Sequence, residues 1–399
     1  MVERQDLMIY LDNQATTACD PRVLEAMLPL FAVQYGNAHS VEHAMGRDAD
    51  SEVERARAAV AALLRADPRE IVFTSGATEA NNLAIKGAAR HALSAGDPRR
   101  RVITLATEHP CVLASVQDLA AEGFEPVVLP VEPDGRLDPE RLRAALRVPT
   151  LLVSVMAVNN ETGVIQDLAA CADMVHAAGA LFHSDLAQAA GKIELDIPAI
   201  GLDLASVSAH KFYGPKGVGA LYVRRRPRVR LAPLFSGGGQ ERTLRSGTLP
   251  VPLVAGLGVA CRIAADEQAE ERIRLRALRD RLLERLLRAI PGLVVNGSLT
   301  HRIPGNLNLR FPHRAAAEII DRAPGLCLST GSACSSAAVE PSGVLRAMGL
   351  SRDEAARSLR LAIGRFTSPA ELDQVTDILK RAHDLPSTDH PSETAECLR

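Results

Sequence analysis

The sequence predicts an α/β fold built on a mostly parallel sheet. Short apolar runs alternate with helix-like stretches from residue 50 to 260, and a long charged stretch follows from Asp266. The runs are Ile71 to Phe73, Val102 to Leu105, Pro126 to Pro130, Leu151 to Val155, Ala180 to Phe182, Leu204 to Val207 and Val218 to Val223. Between them, Glu52 to Leu64 sets Val53, Ala56, Val60 and Leu63 at helical spacing, and Thr78 to Arg90 continues as a helix. From Asp266 to Ile290, the residues Ile273, Leu278, Leu282, Leu286 and Ile290 form an apolar stripe that predicts a connecting helix. Gly305 to Phe311, Arg352 to Leu359 and Pro369 to His383 then predict a smaller α+β domain, and the polar tail from Leu385 to Arg399 is expected to be disordered.

With 399 residues, 47% hydrophobic and 24% charged, the chain has the material for one large core and a smaller one. A net charge of -2 gives no overall field for a nucleic-acid backbone or an anionic membrane, and the Arg224, Arg225 and Arg226 cluster reads as solvated loop charge. The start of the chain lacks the order of a signal peptide and no apolar run reaches spanning length, so a cytoplasmic protein is expected. Seven scattered cysteines without Cys-x-x-Cys spacing argue against a disulfide frame or structural zinc. His39 and His43 stand four apart, but no third metal ligand is evident nearby.

Only five lysines occur: Lys86, Lys192, Lys211, Lys216 and Lys380. Lys211 follows an apolar strand in a small-residue turn beside His210, which suits a Schiff-base lysine whose pKa a strand-end pocket depresses, although a surface-loop lysine fits the same turn. Thr74 to Glu79 leaves a strand and opens a helix, where free backbone N–H groups can hold a phosphate or Ser75 or Thr78 can simply cap the helix. Asp185 at another strand end can pair with a protonated pyridine nitrogen or act as a helix N-cap. Asn159 to Gly163 and Thr107 to Pro110 bring further polar groups to strand ends, and either can be a plain turn. Cys334 lies in a run of small residues, Leu328 to Ala338, that leaves its thiol accessible, whereas Cys171, Cys261 and Cys327 have the apolar neighbours of buried thiols. Arg360 alternates with apolar positions as on a strand, facing a substrate carboxylate or serving an ordinary salt bridge.

Together these segments, with Ile9 to Asp12 and Arg245 to Pro250, resemble the cysteine desulfurases of the class V aminotransferase family, specifically the group with a Ser-Gly-Ser-Ala-Cys loop. The resemblance runs from Ile9 to about Arg365. It implies the aspartate-aminotransferase-like fold (fold type I): a large cofactor-binding domain (16–262) with a mostly parallel seven-stranded sheet, and a small domain from residues 1–15 with 263–384. Pyridoxal 5'-phosphate is the implied cofactor. Carried over by position, its lysine falls on Lys211, the pyridine-nitrogen aspartate on Asp185 and the ring-stacking, proton-transferring histidine on His109. The implied phosphate cradle is Ala77, Thr78, Ser208, His210 and Thr248, the last from a partner subunit, so a homodimer is implied. Asn160 and Gln188 match residues on the ring-oxygen side, Asn37 and Arg360 match contacts to the substrate carboxylate, and Cys334 matches the sulfur-accepting nucleophile.

The implied activity converts L-cysteine to L-alanine with a persulfide left on Cys334, for delivery to a sulfur-acceptor or iron–sulfur scaffold protein. Cluster assembly is the default destination, with tRNA thiolation as another, and Cys334 is then also implied as an iron–sulfur ligand during assembly. A selenocysteine lyase or another class V aminotransferase or lyase is the alternative. Thr330, where the family commonly has Ser, Gln14, in place of a smaller residue, and the short tail after His383 depart from the family pattern.

Overall fold

The computed structural model describes residues 8–331 and 341–385. In chain order the elements are β1 (Ile9–Tyr10), α1 (Pro21–Met27), α2 (Pro29–Ala32), α3 (Ala44–Leu64), β2 (Ile71–Thr74), α4 (Ala77–Ser94), β3 (Arg101–Leu105), α5 (Pro110–Asp118) and β4 (Glu125–Leu129). There follow α6 (Pro139–Ala145), β5 (Thr150–Ser154), α7 (Leu168–Ala177), β6 (Leu181–Asp185), α8 (Ile197–Ile200), β7 (Leu204–Ser208), β8 (Gly219–Val223) and α9 (Val251–Ala289). The last are β9 (Val294–Val295), β10 (Asn306–Arg310), α10 (Ala316–Arg322), β11 (Leu326–Cys327), α11 (Gly343–Ala347), α12 (Arg352–Ala356), β12 (Ser358–Ala362) and α13 (Pro369–Asp384).

All seven apolar runs are strands of one sheet, in the order β2-β8-β7-β6-β5-β3-β4. Every pairing from β7 to β4 is parallel, and only β8 runs against its neighbours. Strands β2, β5, β7 and β8 are buried along their whole length, as expected of a sheet with helices on both faces. Pro126 is tolerated because β4 is an edge strand, where a missing N–H breaks no ladder. At the opposite edge, side chains complete β2: Arg57 donates to Ile71 O at 2.9 Å and Glu241 accepts the Phe73 N–H at 2.8 Å.

A separate core joins Ile9 and Leu11 to Leu278, Leu282 and Leu286 of α9, to β10 and β12, and to α10 and α13. Val344, Leu345, Met348 and Ala355 pack instead into the core of the large sheet. The connecting helix is longer than its charged stretch implied, because α9 begins at Val251. Its first turns press on α3, where a Cβ at Gly258 would lie 2.6 Å from Ala56 Cα. Ile273 leaves the apolar stripe: it is 74% exposed, on the side of α9 away from the core. The predicted helix at Arg352 also stops early, and Leu359 belongs to strand β12.

Candidate active site

In parallel sheets, functional groups gather beyond the carboxyl ends of the strands. Here the ends of β2, β3, β5, β6 and β7 surround one cavity of about 550 Å³. Its lining includes Ala77, Thr78, His109, Asn160, Asp185, Gln188, Ser208, His210, Lys211 and Arg360. Asn37 and Thr248 do not line it and are exposed, and Cys334 lies outside the described residues.

Beyond β7, a single helical turn, Ala209–Lys211, delivers Lys211 to the cavity. Its Nζ donates to Gln14 O at 2.9 Å and Ala15 O at 2.7 Å, so the N-terminal segment crosses directly over the amine. That segment is fixed by Thr17 N–H, which donates to His210 O at 3.0 Å, and by Thr16 Oγ1, 3.1 Å from His210 Nδ1. Burial, aided by Lys211, pushes His210 down to about 4, so its ring is neutral near pH 7.

Asp185 ends β6 as a carboxylate held on both oxygens. Asn81 Nδ2 donates to Oδ2 at 2.7 Å and the Ala187 N–H donates to Oδ1 at 2.8 Å. Its local turn contact is thus real, and it leaves the group still lining the cavity. His109 caps α5 by accepting the Cys111 N–H at Nδ1, 3.2 Å away, so in the neutral ring the proton sits on Nε2. Burial lowers the His109 pKa, opposed by Asp185, which keeps the ring in that neutral form.

The turn after β2 is not capped by Ser75 or Thr78. Gly76 is the N-cap residue of α4 and has no side chain to offer, while the Ser75 N–H is taken by Glu79 at 2.8 Å. The first-turn N–H groups of Ala77 and Thr78 open onto the cavity at the positive end of an 18-residue helix, a ready anion site. The neighbouring strand comes close enough for this only because Gly219 lacks a side chain: a Cβ there would lie 2.7 Å from Gly76 Cα.

After β5, Asn159 accepts the N–H groups of Glu161 and Thr162 at 2.9 and 2.8 Å, and this turn presents Asn160. Asn160 Oδ1 is buried without a hydrogen-bond partner. Arg360 has the salt bridge that competed with its substrate reading: Nη2 meets Asp12 Oδ1 at 2.6 Å and Nη1 meets Asn160 O at 2.7 Å. It still lines the cavity, with Nε buried and unpartnered.

Several lining residues were missed by the sequence reading. Cys111 Sγ lies 3.0 Å from His109 Nδ1, and burial pushes its thiol up to about 12. Gln14, Thr16 and Lys216 also line the cavity. The residues Leu326 and Leu328 pointed to a buried Cys327, but it is half-exposed, whereas Cys171 and Cys261 are buried as expected. His43 caps α3 through Nδ1, and the described residues contain no group of three metal-ligating side chains.

The donor set fits pyridoxal phosphate. An amine, a fixed carboxylate and a neutral imidazole share one cavity with an open helix N-terminus, and the unpartnered Asn160 Oδ1 offers a further polar contact. The model of the class-V aminotransferases matches residues 9–375, and the human cysteine desulfurase is 50% identical over 369 residues, covering 92% of this chain and 80% of the relative. The chain belongs to the cysteine desulfurases of the class-V aminotransferase family. Another desulfurase relative, IscS of Anaeromyxobacter dehalogenans, is 52% identical over 365 residues, covering 92% of this chain and 90% of that one. Among solved structures, a NifS-like protein superposes with a TM-score of 0.86 at 35% identity, over 94% of this chain and 98% of that one. DndA from Streptomyces lividans gives 0.75 at 42% identity, over 89% and 99%. These two structures share the fold that the seven apolar runs predicted.

Proposed function

We propose that this enzyme takes sulfur from L-cysteine with pyridoxal phosphate, releases L-alanine and keeps the sulfur as a persulfide on Cys334. The observation that carries the reading is the convergence of Lys211, Asp185 and His109 on one cavity beside the uncapped start of α4. Lys211 is the amine that would hold the cofactor covalently, Asp185 would pair with its ring nitrogen, and Ala77, Thr78, Ser208 and His210 would hold its phosphate. When bound, the cofactor supplies a sink for the electron pair left at the substrate α-carbon.

The chain's own groups do the rest. Lys211 Nζ, the amine that would hold the cofactor, is also the group that moves the proton at the substrate α-carbon. His109, neutral at pH 7 through burial, is the group that accepts the substrate thiol proton, for which its Nδ1 has to give up the Cys111 N–H that it caps. Arg360 orients the substrate carboxylate, for which it has to exchange its bond to Asp12. Cys334 attacks the substrate sulfur as a thiolate: the S–S bond forms as the carbon–sulfur bond breaks, and the carbon gains a proton to give alanine.

The proposed assembly is a homodimer in which Thr248 completes the partner's phosphate site, which accounts for its position outside the cavity of its own chain. The proposed domain division is 16–262 against 1–15 with 263–384. The proposed destination of the sulfur is an iron–sulfur scaffold or other acceptor protein in the cytoplasm, with Cys334 as a passing cluster ligand. No helix among the described residues is long and apolar enough to cross a membrane.

The test is release of alanine and sulfide from L-cysteine in the presence of a thiol reductant, for the native protein, Cys334→Ala and Lys211→Ala. Both products from the native protein and neither from the variants are expected. Equal alanine formation by Cys334→Ala would overturn the persulfide step in favour of a lyase.

A further inference from the structure

Apart from Lys211, one other lysine sits against this site from behind. Lys192 follows β6 and lines a small separate cavity with Asn13, Tyr213 and Glu271, on the far side of Gln14 from the large one. Its Nζ donates to Gln188 Oε1 at 2.6 Å. The Nε2 of the same amide donates to Gln14 O at 2.8 Å, the carbonyl that also receives Lys211 Nζ at 2.9 Å. Two lysines are thus joined through one amide and one carbonyl.

The orientation of the Gln188 amide follows from the chemistry of its neighbour. A lysine ammonium carries donors only, so it holds an amide by its oxygen and turns the NH2 group the other way. Gln14 O takes one of the two N–H bonds, which leaves the second for the large cavity that Gln188 lines. We propose that Lys192 is a positioning residue: it locks the Gln188 amide so that this side chain meets the ligand as an N–H donor toward an aromatic oxyanion, the ring oxygen of the cofactor. The inference rests on the reading of the cavity as a pyridoxal-phosphate site. Lys192 itself is buried, and burial, with Lys211 and Arg360 nearby and Glu271 opposing, pushes it down to about 7. Unprotonated, its nitrogen gains a lone pair, but the Gln188 Nε2 is held by Gln14 O, so the amide keeps its oxygen toward Lys192 and still receives an N–H from it.

The experiment is a double-mutant cycle on the full-length holoenzyme, reading pyridoxal phosphate release on dilution and the absorbance maximum of the bound cofactor. Lys192→Met should raise the dissociation constant about tenfold, the size of one charge-assisted hydrogen bond, and shift the absorbance maximum. Gln188→Leu should do the same, and Lys192→Met should add nothing in that background, because the lysine acts through the amide. Lys192→Arg, again a donor only, should restore native binding and absorbance. Lys192→Gln, which can present either an oxygen or an N–H group, serves as a second variant should Met impair folding, and should weaken binding likewise. Native-like release from Lys192→Met or Lys192→Gln, or losses that simply add to those of Gln188→Leu, would overturn the proposal. A native protein that takes up no pyridoxal phosphate would overturn the cofactor reading itself.

Discussion

Asn81 on α4 reaches under the cavity and gives its amide hydrogen to Asp185 at 2.7 Å, fixing the carboxylate proposed to face the cofactor's ring nitrogen. The same Nδ2 also donates to Cys111 Sγ at 3.3 Å, while the Oδ1 of the amide is buried without a partner, a cost in its own hydrogen bonding. Asn81→Ala should weaken pyridoxal phosphate binding about tenfold, as expected for loss of one hydrogen bond to a charged group. Absorbance titration measures it, and native affinity in the variant would deny Asn81 that role.

Stability at the β2 edge should depend on a buried ion pair. Arg57 meets Glu241 through two bonds of 2.8 and 2.9 Å, and both side chains are nearly inaccessible. Arg57→Met strands a buried carboxylate and should cost about 3–5 kcal/mol in urea unfolding. Removing both charges, as Arg57→Met with Glu241→Leu, should recover a large part of it. A double variant no more stable than the single would mean that the Glu241 bond to the Phe73 N–H dominates instead.

Thiol labelling should separate the cysteines by their surroundings. Burial pushes Cys111 and Cys171 up to about 12 and Cys261 higher still, so these thiols stay protonated and unreactive at pH 8. Iodoacetamide followed by peptide mass mapping should find Cys334 modified first and these three last. Early labelling of Cys111 would show that the cavity activates it.

The pH dependence of stability should include a clear contribution from His183. This ring is wholly buried between Ser154 and Ser206 at 2.8 and 3.0 Å, and desolvation pushes it down to about 3. Unfolded, it titrates near 6.5, so between about pH 6.5 and 3 only the unfolded chain takes up this proton. The native state should therefore lose up to about 1.4 kcal/mol per pH unit from this group as pH falls through that window. His183→Gln, less stable at pH 7, should close the gap by pH 4 in urea titrations; a gap constant with pH would show that the ring is protonated in place.

The sequence carried the strands well because each is a short apolar run buried on both faces, and it carried Lys211, Asp185 and Asn160 because each directly follows such a run. What it hid depends on partners distant along the chain. Nothing near Arg360 announces Asp12, and nothing near Lys211 announces that its nitrogen meets Gln14 and Ala15. Gly256 and Gly258 masked the first turns of α9 because glycine lowers helix propensity, while here it admits close packing against α1 and α3. Cys111 looked like any thiol on an amphipathic helix, since its place beside His109 depends on the cap that His109 itself forms.

The pairing of β1 with β11, and the bond from Asn13 Nδ2 to Ala362 O across 349 positions, set an order on the birth of the protein. The first strand leaves the ribosome before the large sheet, and its partners leave after it. All strands of the large sheet are synthesised before them and can assemble in the meantime. The stretch that closes over Lys211 lies just after β1, so this amine gains its Gln14 and Ala15 contacts late, when β1 meets β11 and Asn13 meets Ala362. A nascent chain halted before Leu326 should hold the sheet and lack the finished roof of the site, which makes the emergence of β11 and β12 the step that shelters the lysine.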